Sequence, residues 1–92
     1  MTWYQKEITT IADKRGFFLI TDIIIDKIPQ ISNYKSGILH LFIKHTSASL
    51  TINENADCTV RDDLESHFNK NIPENSTYYT HTFEGPDDMP AH

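Results

Sequence analysis

The run Ile38-Leu39-His40-Leu41-Phe42-Ile43-Lys44-His45 constrains this chain more than any other segment. In an extended backbone, successive side chains point to opposite faces. Leu39, Leu41, Ile43 and His45 then share one face, and Ile38, His40, Phe42 and Lys44 share the other. Both faces are largely apolar, so the run is predicted to be a central strand covered on both sides.

Around it the patterning alternates between strand and helix. Residues 3–11 mix Trp, Tyr, Thr and Ile, which suit a pleated, half-buried surface. Asp13-Lys14-Arg15-Gly16 reads as a turn into a second strand over 17–21, the two forming a hairpin. A short helix is predicted over 23–28, capped by Thr21 or Asp22 and ended by Pro29, although Ile23-Ile24-Ile25 would also suit a strand. Residues 33–37 read as a loop, 50–52 as a short apolar continuation, and 77–83 as a further strand. Val60, Leu64 and Phe68 recur at i, i+4 and i+8, which is helical spacing, with Asn55 or Asp57 as the cap. Asp57 and Arg61 sit four apart and can pair, while Asp62, Asp63 and Glu65 lie toward the end the helix dipole favours.

A chain of 92 residues suits one domain and buries only a modest core. Thirteen acids against eight bases leave a net charge of −5, and the bases are scattered, which argues against nucleic-acid binding. The same acidic balance means that a phosphorylated ligand needs local cations, a metal ion or a helix N-terminus. The single cysteine, Cys58, excludes an internal disulfide and fits a reducing cytoplasm. No apolar signal region follows Met1, and the apolar stretches are too short to span a bilayer. A soluble, cytoplasmic protein without a membrane partner is the expectation.

Five histidines in a chain of this length are many, and histidine is the commonest metal ligand. None has a local spacing such as HExxH, and each has a plainer reading. His40 lies mid-strand and reads as a hydrogen-bonded core or interface residue. His67 sits near the end of the long helix, where a partly protonated imidazole suits the dipole. His45 ends the apolar run and opens into the polar Thr46-Ser47-Ala48-Ser49, a common setting for a site. His81 is similar, between Tyr79 and Phe83. The run Asn53-Glu54-Asn55-Ala56-Asp57 can orient a ligand, hold a metal or move a proton, or simply cap the helix. Asp87-Asp88 has the chemistry to bind a divalent cation, although an acidic pair in a turn is usually solvated. Ser47 beside His45 lacks the surroundings of a catalytic nucleophile.

Several of these segments together resemble the YjbQ-like (UPF0047) family. They are Trp3-Tyr4-Gln5-Lys6, Arg15-Gly16-Phe17, His45-Thr46-Ser47-Ala48-Ser49-Leu50-Thr51 with Asn53-Glu54-Asn55, and Asp57 with Val60-Arg61-Asp62-Asp63. Tyr79-Thr80-His81, Glu84-Gly85 and Asp87-Asp88-Met89-Pro90-Ala91-His92 complete the match, in order, along essentially the whole chain. The resemblance implies an α+β, sandwich-like domain of mixed or antiparallel sheets with packed helices, assembling as a homotrimer. Family members continue past Pro-Ala-His through further strands and basic residues, so residues 1–92 are expected to be a truncated domain lacking its C-terminal strands.

The activity attached to the family is a weak thiamine-phosphate synthase reaction, joining an aminopyrimidine pyrophosphate to a thiazole phosphate with release of pyrophosphate. In that picture His45, His81 and His92 hold a divalent metal, zinc or magnesium, that meets the phosphorylated substrate. Glu54 or Asp57 orients those ligands, Arg61 offers a cation, and Asn53 and Asn55 contact the ligand. The alternative is a non-enzymatic trimeric module that binds a metal or small ligand, or a piece that is inert because it is truncated.

Overall fold

The computed structural model describes residues 3–92, and among them the α-helices are α1 (Thr21–Lys27), α2 (Thr59–Asn71) and α3 (Asp88–Ala91), with a 3-10 turn at Pro29–Asn33. The chain divides into two units. One takes the residues up to Lys14 together with Phe18–Leu41, and the other takes Arg15–Phe17 and Phe42–His92.

In the first unit the β-branched run Ile23-Ile24-Ile25 is helical. Asp22 in the first turn and Lys27 in the last complement the helix dipole, and no side chain caps the start. The Ile28 N–H still bonds the Ile24 carbonyl at 2.9 Å. Pro29 then has no N–H to continue the ladder, and its fixed φ suits the first position of the 3-10 turn instead. Ser32 Oγ closes that turn on the Pro29 carbonyl at 2.8 Å. The Tyr4 ring meets Tyr34 edge-on, with centroids 6.4 Å apart.

The second unit is organised on α2, at the place the apolar spacing predicts. The N-cap is Cys58, whose side chain makes no capping bond, rather than Asn55 or Asp57. Asp57, one residue earlier, accepts at Oδ1 from the Thr59 backbone N–H at 2.9 Å, one of the donors a helix start leaves without an internal partner, and from Thr59 Oγ1 at 2.7 Å. At the other end, the Arg15 guanidinium donates to the Phe68 carbonyl at 3.1 Å and the Ile72 carbonyl at 2.6 Å. Phe17 packs edge-on against Phe68, with centroids 5.4 Å apart. Arg15-Gly16-Phe17, expected to lead a hairpin into its second strand, instead clasps the last turn of α2.

The sheet-containing α+β sandwich is corrected by the structure. Among the described residues there is no strand at 3–11, 17–21, 38–45 or 77–83. Their backbone–backbone hydrogen bonds outside the helices all join residues three or four apart, so no segment is laddered to another. A strand exists only through hydrogen bonds to a neighbouring strand, and side-chain alternation gives a segment the capacity for pairing without the pairing itself. The central apolar run is not covered on both faces either: Ile38 is 96% exposed and Phe42 79%. No described side chain is fully buried.

Candidate metal centre

The site lies wholly in the second unit and is assembled from three short pieces of chain: His81, α3 (Asp88–Ala91) with His92 that follows it, and the turn at Thr46-Ser47. Asp88 opens α3 and His92 follows four residues later, so helical geometry brings both side chains to one face. The His92 N–H closes that turn on the Asp88 carbonyl at 3.3 Å. Pro90 is tolerated because it lies in the first turn, where its missing N–H has no partner to lose.

His81 reaches the same place through the turn that precedes α3. The Gly85 N–H bonds the Thr82 carbonyl at 3.2 Å. Gly85 has φ +114°, where a side chain is strained, and a Cβ there would stand 3.1 Å from Asp87 Oδ1. This bend returns the chain so that Asp88 faces His81.

The two imidazoles converge on one carboxylate oxygen. His81 Nε2 lies 2.7 Å and His92 Nε2 3.4 Å from Asp88 Oδ2, and the two rings are 5.3 Å apart. One potential ligand atom from each of His81, Asp88 and His92 falls within 4.8 Å of the others. Burial acts to raise the pKa of the Asp88 carboxyl. The hydrogen bond with His81, the charges of His92 and His81 and the hydroxyl of Ser47 outweigh it and hold the group below its ordinary value. Asp88 is therefore an ionised carboxylate at neutral pH. The His81 side chain is half exposed, which leaves the centre open to solvent, and a recess of about 190 Å³ lined by Asn75, Ser76, Tyr79 and Thr82 adjoins it.

Of the three histidines expected as ligands, His81 and His92 come together, and the third member of the group is Asp88. His45 is engaged elsewhere: its Nδ1 accepts the Ser47 backbone N–H at 3.0 Å. Asp88 stood in the sequence as half of an acidic pair in a turn. The signal that singles it out is its i, i+4 spacing to His92.

The residues expected to act in catalysis or ligand contact gather at the N-terminus of α2. The Glu54 N–H bonds Asn53 Oδ1 at 2.9 Å, and Arg61 Nη1 donates to Asn55 Oδ1 at 2.7 Å. Arg61 thus bonds Asn55, where the spacing suggested Asp57. His67 stays on α2, its Nδ1 3.3 Å from Asn71 Nδ2.

The hydrogen bonds from the Thr59 hydroxyl and backbone N–H hold the Asp57 carboxyl below its usual pKa. A depressed carboxyl stabilises the fold when ionised, so its contribution is complete above the ordinary carboxylate range and is lost as pH falls through the lowered value. Far-UV circular dichroism followed into acid should show α2 losing helicity over that interval. Asp57→Asn should flatten the dependence, and an unchanged acid profile would show that the bonds from Thr59 to Asp57 add nothing to the start of α2.

The chain is 54% identical to UPF0047 protein YjbQ of Salmonella typhimurium over 90 residues, covering 98% of this chain and 64% of that protein. It is 50% identical to UPF0047 protein YjbQ of Escherichia coli O157:H7, with the same coverage. It is 48% identical to UPF0047 protein sll1880 of Synechocystis over 88 residues, or 96% of this chain and 60% of that one. The chain thus spans a little under two thirds of the length of these relatives. No solved structure matches it. No helix among the described residues is long and apolar enough to cross a membrane. The model of the family described as UPF0047 protein YjbQ-like matches residues 6–92, and the chain belongs to that family.

Proposed function

We propose that this chain carries a divalent-metal centre on His81, Asp88 and His92, through which the protein binds a phosphorylated small molecule. The observation that supports this is the convergence of the two imidazole nitrogens and a carboxylate oxygen within 4.8 Å. Two nitrogens and one oxygen suit zinc and its first-row neighbours. Magnesium prefers an all-oxygen shell and fits less well. Three protein ligands with an open fourth position are the pattern of catalytic rather than structural zinc sites. A single carboxylate against a doubly charged ion leaves net positive charge, which a chain of net charge −5 needs to attract phosphate.

The reaction proposed for the whole protein is the thiamine-phosphate synthase type. The thiazole nitrogen's lone pair forms the new C–N bond as the C–O bond to pyrophosphate breaks, and pyrophosphate leaves with the bonding pair. The attacking nitrogen carries no proton, so no general base is needed. A bound divalent ion supplies Lewis-acid stabilisation of the leaving group. Asp88, His81 and His92 would hold and orient the ion, and the recess beside His81 offers room for a ring. Assembly as a homotrimer belongs to the same proposal.

The test is a zinc titration against a chromophoric chelator, set beside turnover with and without chelator. One equivalent of metal per chain and chelator-sensitive turnover are expected. Bound metal without turnover would leave a non-enzymatic metal-binding module, and absence of metal binding would overturn the proposal.

A further inference from the structure

The Thr46-Ser47 turn is far in sequence from α3, yet it touches both Asp88, which opens that helix, and His92, which caps its end. Ser47 Oγ lies 3.4 Å from Asp88 Oδ1, the other oxygen of the carboxylate that the imidazoles meet at Oδ2. It also lies 3.4 Å from His92 Nε2 and 3.5 Å from His92 Nδ1, so the hydroxyl stands against that ring. The Thr46 carbonyl is 3.2 Å from His92 Nδ1. A carbonyl only accepts, so Nδ1 carries the proton of that bond, which leaves Nε2 as the ring nitrogen to meet a cation. That is the nitrogen facing Asp88 Oδ2. The turn itself is held by His45, whose Nδ1 accepts the Ser47 N–H at 3.0 Å.

We infer that Ser47 is the positioning residue of the His81–Asp88–His92 centre, turning Asp88 so that Oδ2 is presented to a divalent cation while Thr46 sets the His92 tautomer. The inference rests on the metal-binding reading given above. A carboxylate rotates about a broad two-fold torsion, so a hydroxyl on one oxygen decides which way the other points. Outer hydrogen-bond partners of metal ligands act in this way, and losing one typically weakens metal affinity about 10–100-fold. The same contacts give His45 a place in the centre without ligation: it holds the turn that holds the ligands.

Cobalt(II) is the probe, because its visible absorption reports the ligand field directly. The untreated chain, Ser47→Ala and Ser47→Thr are titrated with Co²⁺ and then with zinc in competition. Ser47→Ala is expected to weaken affinity about tenfold and to change the cobalt spectrum, with far-UV circular dichroism unchanged. Ser47→Thr keeps the hydroxyl and should restore both. Equal affinity and spectrum in Ser47→Ala would overturn the positioning role while leaving the metal centre standing. Failure of the unsubstituted chain to bind Co²⁺ or zinc would overturn both. If Ser47→Ala alters the fold, the decision passes to Ser47→Thr, whose failure to reproduce the native spectrum would overturn the inference.

Discussion

Replacing Asp88 by Ala is expected to lower zinc affinity by more than about 100-fold, beyond the loss typical of an outer hydrogen-bond partner. Asp88 is the only anionic member of the group, and both imidazoles point at its Oδ2, from 2.7 and 3.4 Å. Without it, two histidines remain that share no anion, and a neutral pair of nitrogens holds a divalent ion weakly. His81→Ala and His92→Ala should each approach the same loss. His45→Ala should cost far less, because that ring touches the centre only through the Ser47 N–H. Isothermal titration with zinc across the four variants ranks them. A His45 variant as damaged as the Asp88 variant would return His45 to the ligand set.

The second large effect concerns the clasp on α2. Arg15→Ala removes a charged donor from two carbonyls at a helix C-terminus, the Phe68 bond at 3.1 Å and the Ile72 bond at 2.6 Å. Hydrogen bonds to charged groups contribute about 1.5–3 kcal/mol each in favourable settings. These are partly exposed, so about 1–2 kcal/mol in all is the reasonable scale after solvent screening. A local loss of about 1.4 kcal/mol is a tenfold change in an opening equilibrium, so amide exchange in the last turn of α2 should quicken by roughly that factor. Arg15→Lys should fall between, since both bonds come from the single nitrogen Nη2 and an ammonium can donate to two carbonyls, but from a shorter, flexible stem without the fixed guanidinium plane. Unchanged exchange around Phe68 and Ile72 in Arg15→Ala would show that the clasp adds nothing to α2.

Helix α2 could be read from the chain because its causes are local. Val60, Leu64 and Phe68 keep the period, and Asp57 stands ready before the first turn. Pro29 ends α1 for an equally local reason. The pairing of Asp88 with His92 was also available, as an i, i+4 spacing, though it was hidden behind the ordinary expectation of a solvated acidic turn. The segments with strand character are the reverse case. Leu39, Leu41 and Ile43 alternate well enough for a sheet, but alternation names no partner, and their backbone groups join no ladder among the described residues.

The histidines show the same division. Residue type and polar neighbours marked His45 and His81, and the family's Asp-Asp-Met-Pro-Ala-His run marked His92. Nothing along the chain distinguished a ligand from a residue that holds a turn. By itself, then, the sequence determined α2, the stop of α1 at Pro29 and the family, since these depend on neighbours within a turn or on motif identity, whereas α3 stood in it as a turn. Only the tertiary structure decided that Asp88 joins His81 and His92, that Ser47 stands against them, and that His45 does not. Those relations span up to 45 positions. Over that distance the path of the chain, rather than any local preference, sets which side chains meet.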